Sequence, residues 1–196
     1  LVVCYPFNGN ADDESGNGYD GTVHGASLTT DRHGTSQRAY SFDGSNDYVE
    51  TPFYPVYGTN DEYTYSFWVK YSSTQSYNAR IMGFEKTNAQ ELCFIKYTSG
   101  IIRHTLRDDG WDWTNCDTPN SHSDGQWHHV VALRDVSSDR IRLYVDGIQV
   151  DYETDNTETS CNQNDSRWLA IGANNHSSGV CHFYSGSIDD VRVYDR

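Results

Sequence analysis

The stretch Arg140-Ile-Arg-Leu-Tyr-Val-Asp-Gly-Ile-Gln-Val150 decides the fold class. Ile141, Leu143 and Val145 alternate with Arg140, Arg142 and Tyr144, which is the period of a strand with one buried face. Asp146-Gly147 follows, and glycine readily takes the positive φ of a two-residue turn, so Ile148 to Val150 returns as the second arm of a hairpin.

Outward from this hairpin, the same alternation recurs between Gly/Asn/Asp/Ser clusters. It is found in Ala39 to Phe42, Tyr48 to Thr51, Tyr63 to Tyr71, Ala79 to Glu85, Glu91 to Tyr97, Ile101 to Arg107, Trp127 to Arg134, Trp168 to Gly172 and Gly186 to Tyr194. No segment sustains apolar spacing at i, i+3, i+4, i+7, so helices should be few and short. Thr114 to Gly125 and Thr154 to Asp165 are polar and read as exposed loops. At 196 residues, without repeat or linker, the chain reads as one all-β, two-sheet antiparallel sandwich domain spanning 1–196.

Composition narrows the partners. Fifteen Tyr, seven Phe and five Trp supply large buried areas suited to pleated surfaces. Fourteen Lys and Arg against 28 Asp and Glu leave a net charge of −14 and no basic cluster able to track phosphates, so nucleic acid is not expected. The acidity fits either general solubility or carboxylates gathered around a cation. No run of roughly 18 apolar residues is present and no basic-then-apolar leader opens the chain, as expected of a mature module that does not insert into a membrane.

Five cysteines without a C-x-x-C pair argue for disulfides in an oxidising compartment, hence a secreted or cell-surface chain. Five choices of leftover thiol times three pairings leave fifteen arrangements. Cys93 with Cys116 and Cys161 with Cys181 are preferred, because each pair closes a short loop, which leaves Cys4 free or linked to another chain. The alternative is that several are reduced, buried thiols. Asn164-Asp-Ser166 and Asn175-His-Ser177 are glycosylation sequons that suit secretion.

Four stretches in order resemble the laminin-G-like, concanavalin A-like jelly-roll family: Tyr5 to Asn10 with Asp13 to Gly18, Tyr40-Ser-Phe-Asp-Gly-Ser-Asn-Asp-Tyr-Val49, Asp124-Gly-Gln-Trp-His-His-Val130 leading to Leu143-Tyr-Val-Asp-Gly147, and Gly186-Ser-Ile-Asp-Asp-Val-Arg-Val-Tyr-Asp195. The resemblance implies two antiparallel sheets in a jelly roll, used in lectins, adhesins, glycosidases and receptors. It leaves the ligand open, since function resides in the site rather than the fold. Pentraxins share the fold, but Ala89, Gln90 and the Asn174-Asn-His176 stretch stand where their calcium ligands would fall, so the resemblance does not carry a double-calcium site.

Asp13, Ser15 and Asn17 with Gly18 reproduce the first half of an EF-hand loop, whereas the twelfth position is His24 instead of Glu. A structural calcium would therefore recruit carboxylates from elsewhere, and the family resemblance nominates Asp43, Asp189 and Asp190. Asn17-Gly18 and Asp43-Gly44 also read simply as turns. Adjacent His128 and His129 would point to opposite strand faces and not share an ion, and Arg134 and Arg192 read as sheet-surface residues.

For ligand binding, the segment Asp108-Asp-Gly-Trp-Asp-Trp-Thr-Asn115 stands out. Trp111 and Trp113 can stack on sugar rings while Asp109, Asp112 and Asn115 hydrogen-bond hydroxyls, or both indoles can turn into the core. Tyr54, Tyr57 and Tyr77 form a second candidate surface. No Glu-x-Asp-x-Glu pair, G-x-S-x-G elbow or H-E-x-x-H motif is present, the glutamates look isolated, and Ser123 to Trp127 reads as a turn rather than a sialidase Asp-box. The expectation is a non-enzymatic, calcium-stabilised, lectin-like or adhesion module for extracellular glycan or glycoprotein. The alternative is a protein-binding or structural domain of an adhesin or filament.

Overall fold

The computed structural model describes residues 1–55, 61–72, 78–85, 91–108, 112–157 and 167–196. In chain order the strands are β1 (Val3–Tyr5), β2 (Thr22–His24), β3 (Ser27–Thr29), β4 (Ala39–Asp43), β5 (Tyr48–Glu50), β6 (Tyr63–Lys70), β7 (Ala79–Glu85), β8 (Glu91–Lys96), β9 (Ile102–Arg107), β10 (Trp113–Asp117), β11 (Trp127–Asp135), β12 (Arg140–Val145), β13 (Ile148–Thr154), β14 (Ala170–Ile171), β15 (Asn174–His176), β16 (Gly179–Cys181) and β17 (Ser185–Tyr194). Among the described residues helical structure is confined to one 3-10 turn, Val136–Ser138.

Two sheets pack face to face as a sandwich. Sheet A runs β13-β12-β11-β6-β17-β4-β3, with β1 also on β17; sheet B runs β10-β9-β8-β7-β14-β5-β2, with β15 beside the end of β7 and β16 beside β15. Strand β6 shows why the layers form: Tyr63, Tyr65, Phe67 and Val69 are buried while the intervening residues are half-buried. Phe94 of β8 meets this row from sheet B, 4.9 Å from Phe67 and 5.4 Å from Tyr65 between ring centroids. Each such side chain contributes about 1.5–3 kcal/mol by leaving water. His104 also faces the core, where its Nε2 lies 3.0 Å from the Tyr63 hydroxyl, and burial pushes the imidazole down to about 4, so it is neutral.

The sequence and the structure part company at several places. Thr114 to Asp117, the start of the loop expected over Thr114 to Gly125, belongs instead to the edge strand β10, and backbone-to-side-chain bonds tie it to sheet A: the Asp117 N–H donates to Asp151 Oδ2 at 2.7 Å and the Asn156 N–H to Thr114 Oγ1 at 3.0 Å. Arg134 lies on the inner side of β11, 5% exposed, and its Nε donates to Asp155 at 2.5 Å. It is a buried ion pair, not a surface residue.

Cys4, Cys93, Cys116 and Cys181 all carry free thiols. The expected Cys93–Cys116 bridge is absent for a geometric reason. Cys93 pairs with Thr105 and Cys116 with His104 on opposite sides of β9, so the two cysteines sit two strands apart, roughly 9–10 Å, and point to opposite faces. Cys181 Sγ lies 3.0 Å from His182 Nδ1, and its expected partner Cys161 lies outside the described residues. Asn175, one of the sequon asparagines, is 5% exposed with its amide donating to the Trp168 carbonyl at 3.0 Å, so it is not presented for glycosylation. Asn164 lies outside the described residues.

Candidate functional site

The register of β9 and β10 builds a ladder on the outer face of sheet B. Thr114 and Cys116 turn inward; Trp113, Asn115 and Asp117 turn outward, opposite Arg107, Thr105 and Arg103. The first rung is a cation–π contact, with the Arg107 guanidinium 4.4 Å from the Trp113 ring centroid, and Trp113 is 45% exposed. In the second rung the Thr105 hydroxyl donates to Asn115 Oδ1 at 2.8 Å. The third is a two-pronged ion pair, Arg103 Nε to Asp117 Oδ1 at 2.6 Å and Nη2 to Oδ2 at 2.7 Å. That carboxylate raises the guanidinium's pKa.

The turn that feeds β10 is held by the Asp112 N–H donating to Asp108 Oδ1 at 3.1 Å and the Asp108 N–H donating to the Asp112 carbonyl at 3.3 Å. Of the five expected ligand-binding residues, Trp113 and Asn115 share the outer face and Asp112 is exposed beside them. Trp111 and Asp109 lie outside the described residues. For Trp113 the choice between core and platform is resolved outward.

Sequence reasoning missed the next part of the face. Glu85 and Glu91 flank residues 86–90 and look isolated, yet they are cross-strand partners on β7 and β8. Arg107 Nη2 reaches Glu85 Oε1 at 3.3 Å and Glu91 Oε2 at 3.8 Å, and Arg80 Nη2 reaches Glu91 Oε1 at 3.1 Å. The Asn174 amide donates to Glu85 Oε2 at 3.1 Å, and the Cys93 thiol to Glu91 Oε1 at 2.8 Å. Burial and the Glu91 carboxylate push that thiol well up, so Cys93 is protonated. The signal available in the sequence was strand parity: Glu91, Cys93, Ile95 and Tyr97 share one side.

The expected calcium ligands are not brought together. Asp13 accepts N–H bonds from Cys4 at 2.9 Å, Ser15 at 2.9 Å and Tyr19 at 3.1 Å, plus the Ser15 hydroxyl at 2.8 Å. Burial opposes its ionisation, and these bonds outweigh it and lower its pKa. The Asn17 amide donates to the Val2 carbonyl at 2.9 Å, and Ser15 Oγ lies 3.0 Å from the same oxygen. Asp43 caps its own turn, accepting from the Ser45 N–H at 2.7 Å. Asp189, 1% exposed, is paired with Arg32 at 2.6 Å, and Asp190 with Arg32 at 3.1 Å. On β17, Ser185 faces Asp43 and Arg192 faces Cys4, so the Asp43 and Asp13 ends stand on the order of 20 Å apart. One calcium ion cannot bridge them, since its ligands sit at about 2.3–2.6 Å. No group of three or more His, Cys, Asp and Glu suited to a metal is found among the described residues.

Tyr54, 45% exposed, borders a cleft of about 730 Å³ at one end of the sandwich, with Tyr194, Asp61, Glu62 and Ser137. Tyr57 and Tyr77 lie outside the described residues. The neighbouring histidines do separate work: His129 stacks on Trp68 at 4.9 Å, whereas His128 is clamped between Asp146 (2.8 Å) and Asp124 (3.1 Å). Asp124 also accepts from the Gln126 N–H at 2.9 Å, the geometry of a turn.

The chain belongs to the Laminin_G_3 family of the concanavalin A-like lectin/glucanases superfamily, matched over residues 43–196. Among solved structures it is similar to Domain 4 of AbnA, a GH43 extracellular arabinanase from Geobacillus stearothermophilus, in complex with arabinotriose: TM-score 0.76, 20% identity, 100% of this chain and 92% of that one. It is also similar to the Botulinum neurotoxin serotype D binding domain (TM-score 0.77, 13% identity, 100% of this chain and 47% of that one). The Botulinum Neurotoxin DC binding domain in complex with SialylT gives TM-score 0.73 and 12% identity, covering 100% and 48%. The chain thus spans about half the length of the neurotoxin domains. At these identities the likeness is one of fold. Comparison with curated protein sequences gives no match.

Proposed function

We propose that the protein is an extracellular carbohydrate-binding module whose glycan seats on the outer face of β9 and β10. The observation that carries this reading is Trp113, a ring 45% exposed beside a row of paired hydrogen-bonding groups. A sugar offers an apolar C–H face to the indole and hydroxyls to Asn115, Asp117 and Arg103. The similar domains solved with arabinotriose and with SialylT support the class of ligand. Binding without hydrolysis is the favoured chemistry: Glu85 and Glu91 are adjacent, but each is tied to guanidinium and Glu91 is only 2% exposed, so this pair is engaged in the face and not presented to a leaving group.

Calcium has no part in the proposal, because the nominated ligands do not converge. A second reading, protein binding, is favoured by the tyrosine- and carboxylate-bordered cleft at Tyr54. A broad glycan array run with wild type and Trp113→Ala tests the first reading. Hits lost in the variant support it; an empty array with saturable binding to one protein moves the assignment to the second.

A further inference from the structure

We infer that the ligand is a linear, uncharged oligosaccharide that crosses β9 obliquely, from Trp113 on β10 to a second stacking subsite at Tyr97 beyond the end of β8. This rests on the carbohydrate-binding reading and specifies its ligand.

Tyr97 follows β8 with the parity of Cys93 and Ile95, hence on the outer side of sheet B, and the Arg103 guanidinium sits 4.8 Å from its ring centroid. The far end of the ladder therefore repeats the near end: an aromatic ring carrying an arginine that is itself tied to a carboxylate. Trp113 on β10 faces Arg107, whereas Tyr97 follows β8 on the other side of β9 and its N–H donates to the Ile101 carbonyl, six residues along β9 from Arg107, so the two backbone positions stand about 20 Å apart along the strands and two strands apart across them. Asn115 and Thr105 lie midway with a neutral hydrogen bond. Two rings so placed suit a chain of several sugar units better than a single terminal sugar, and they set its direction obliquely across β9.

Charge bookkeeping on the face excludes an acidic glycan. Arg80, Arg103 and Arg107 are matched by Glu91, Asp117 and Glu85, each arginine within 3.3 Å of a carboxylate. A ligand carboxylate or sulfate would have to displace one of these partners, against a chain of net charge −14. Neutral hydroxyls face no such competition, because a hydroxyl donates to the carboxylate and accepts from the guanidinium of a pair left intact.

The test is calorimetric titration with neutral linear arabino-, xylo- and cello-oligosaccharides of increasing length, alongside oligogalacturonates of matched length, at low and high NaCl. The expected result is binding by a neutral series, insensitive to salt, with affinity rising with length to a plateau. Tyr97→Ala should weaken the long oligomers about fivefold and leave the shortest binder unchanged, while Tyr97→Phe keeps the ring and the affinity. Equal melting temperatures check that the variants fold. Preference for oligogalacturonate, lost at high salt, overturns the neutral ligand but keeps the glycan reading. Affinity independent of length, or unchanged in Tyr97→Ala, overturns the second subsite and leaves Trp113 alone. No binding to any series or to the glycan array overturns the carbohydrate reading and this inference with it.

Discussion

Two sets of aromatic rings stand on the outer face of sheet B, and they are put to different use. Toward β2 and β5, His24 lies 4.3 Å from Tyr48 and Tyr48 6.0 Å from Trp168, within 13° of parallel, so the ring faces are turned to one another. Toward β9 and β10, Tyr97 and Trp113 carry guanidinium groups and Trp113 is 45% exposed. The first set is a zipper that holds strands together; the second is the proposed glycan surface. What distinguishes a site from packing here is where the ring faces point, not how many rings are present.

The largest expected effect is therefore on stability at the zipper. Trp168→Ala should destabilise the fold by about 2 kcal/mol, read by urea unfolding, because a half-buried ring is removed from the His24–Tyr48–Trp168 stack. Glycan affinity should stay within error. Trp113→Ala should do the reverse, weakening glycan binding by about 1–2 kcal/mol with an unchanged unfolding midpoint. Equal effects of both substitutions on both readouts would erase the distinction.

A smaller effect concerns pH. Burial opposes charging of His128, but its bonds to Asp146 and Asp124 outweigh this and raise its pKa above the ordinary 6.5. The raised pKa stabilises the fold fully below about 6.5 and is lost as pH rises through the folded value. Asp146 and Asp124 are lowered, so their contribution is present above the ordinary aspartate value of 3.8 and fades as pH falls through the folded values. The clamp should thus be strongest between about pH 4 and 6.5. Melting His128→Gln and wild type across pH should show their largest difference in that window and convergence at higher pH. Glycan affinity should not follow it, since the clamp joins turns rather than the ladder. The smallest expected effect is that of a chelator. Asp13 is already served by three N–H groups and a hydroxyl, so melts with calcium and with chelator should coincide.

Local patterns in the chain announce much of this architecture. The Asp146-Gly147 hairpin and the alternation in β6, β7, β11 and β12 are legible because period and turn chemistry are local properties. The missing bridge is not, since Cys93 and Cys116 are kept apart by the register of β9, which no local pattern reports. What becomes of the calcium half-motif is not a local property either: the oxygens of Asp13 and Ser15 have the sequence spacing of cation ligands, and in the fold they meet backbone donors and each other. Trp113 is nameable from its sequence as half of a two-way choice. Glu85 with Glu91, and Tyr97 with Arg103, require the pairing of strands to be seen at all.

The most direct measurement is an NMR titration of the five indole N–H signals, assigned by substitution, with the best-binding oligosaccharide. The expected result is a saturable shift of the Trp113 signal with the Trp168 signal unmoved. A shift at Trp168 with Trp113 silent would place the ligand on the zipper and contradict the assignment of the site.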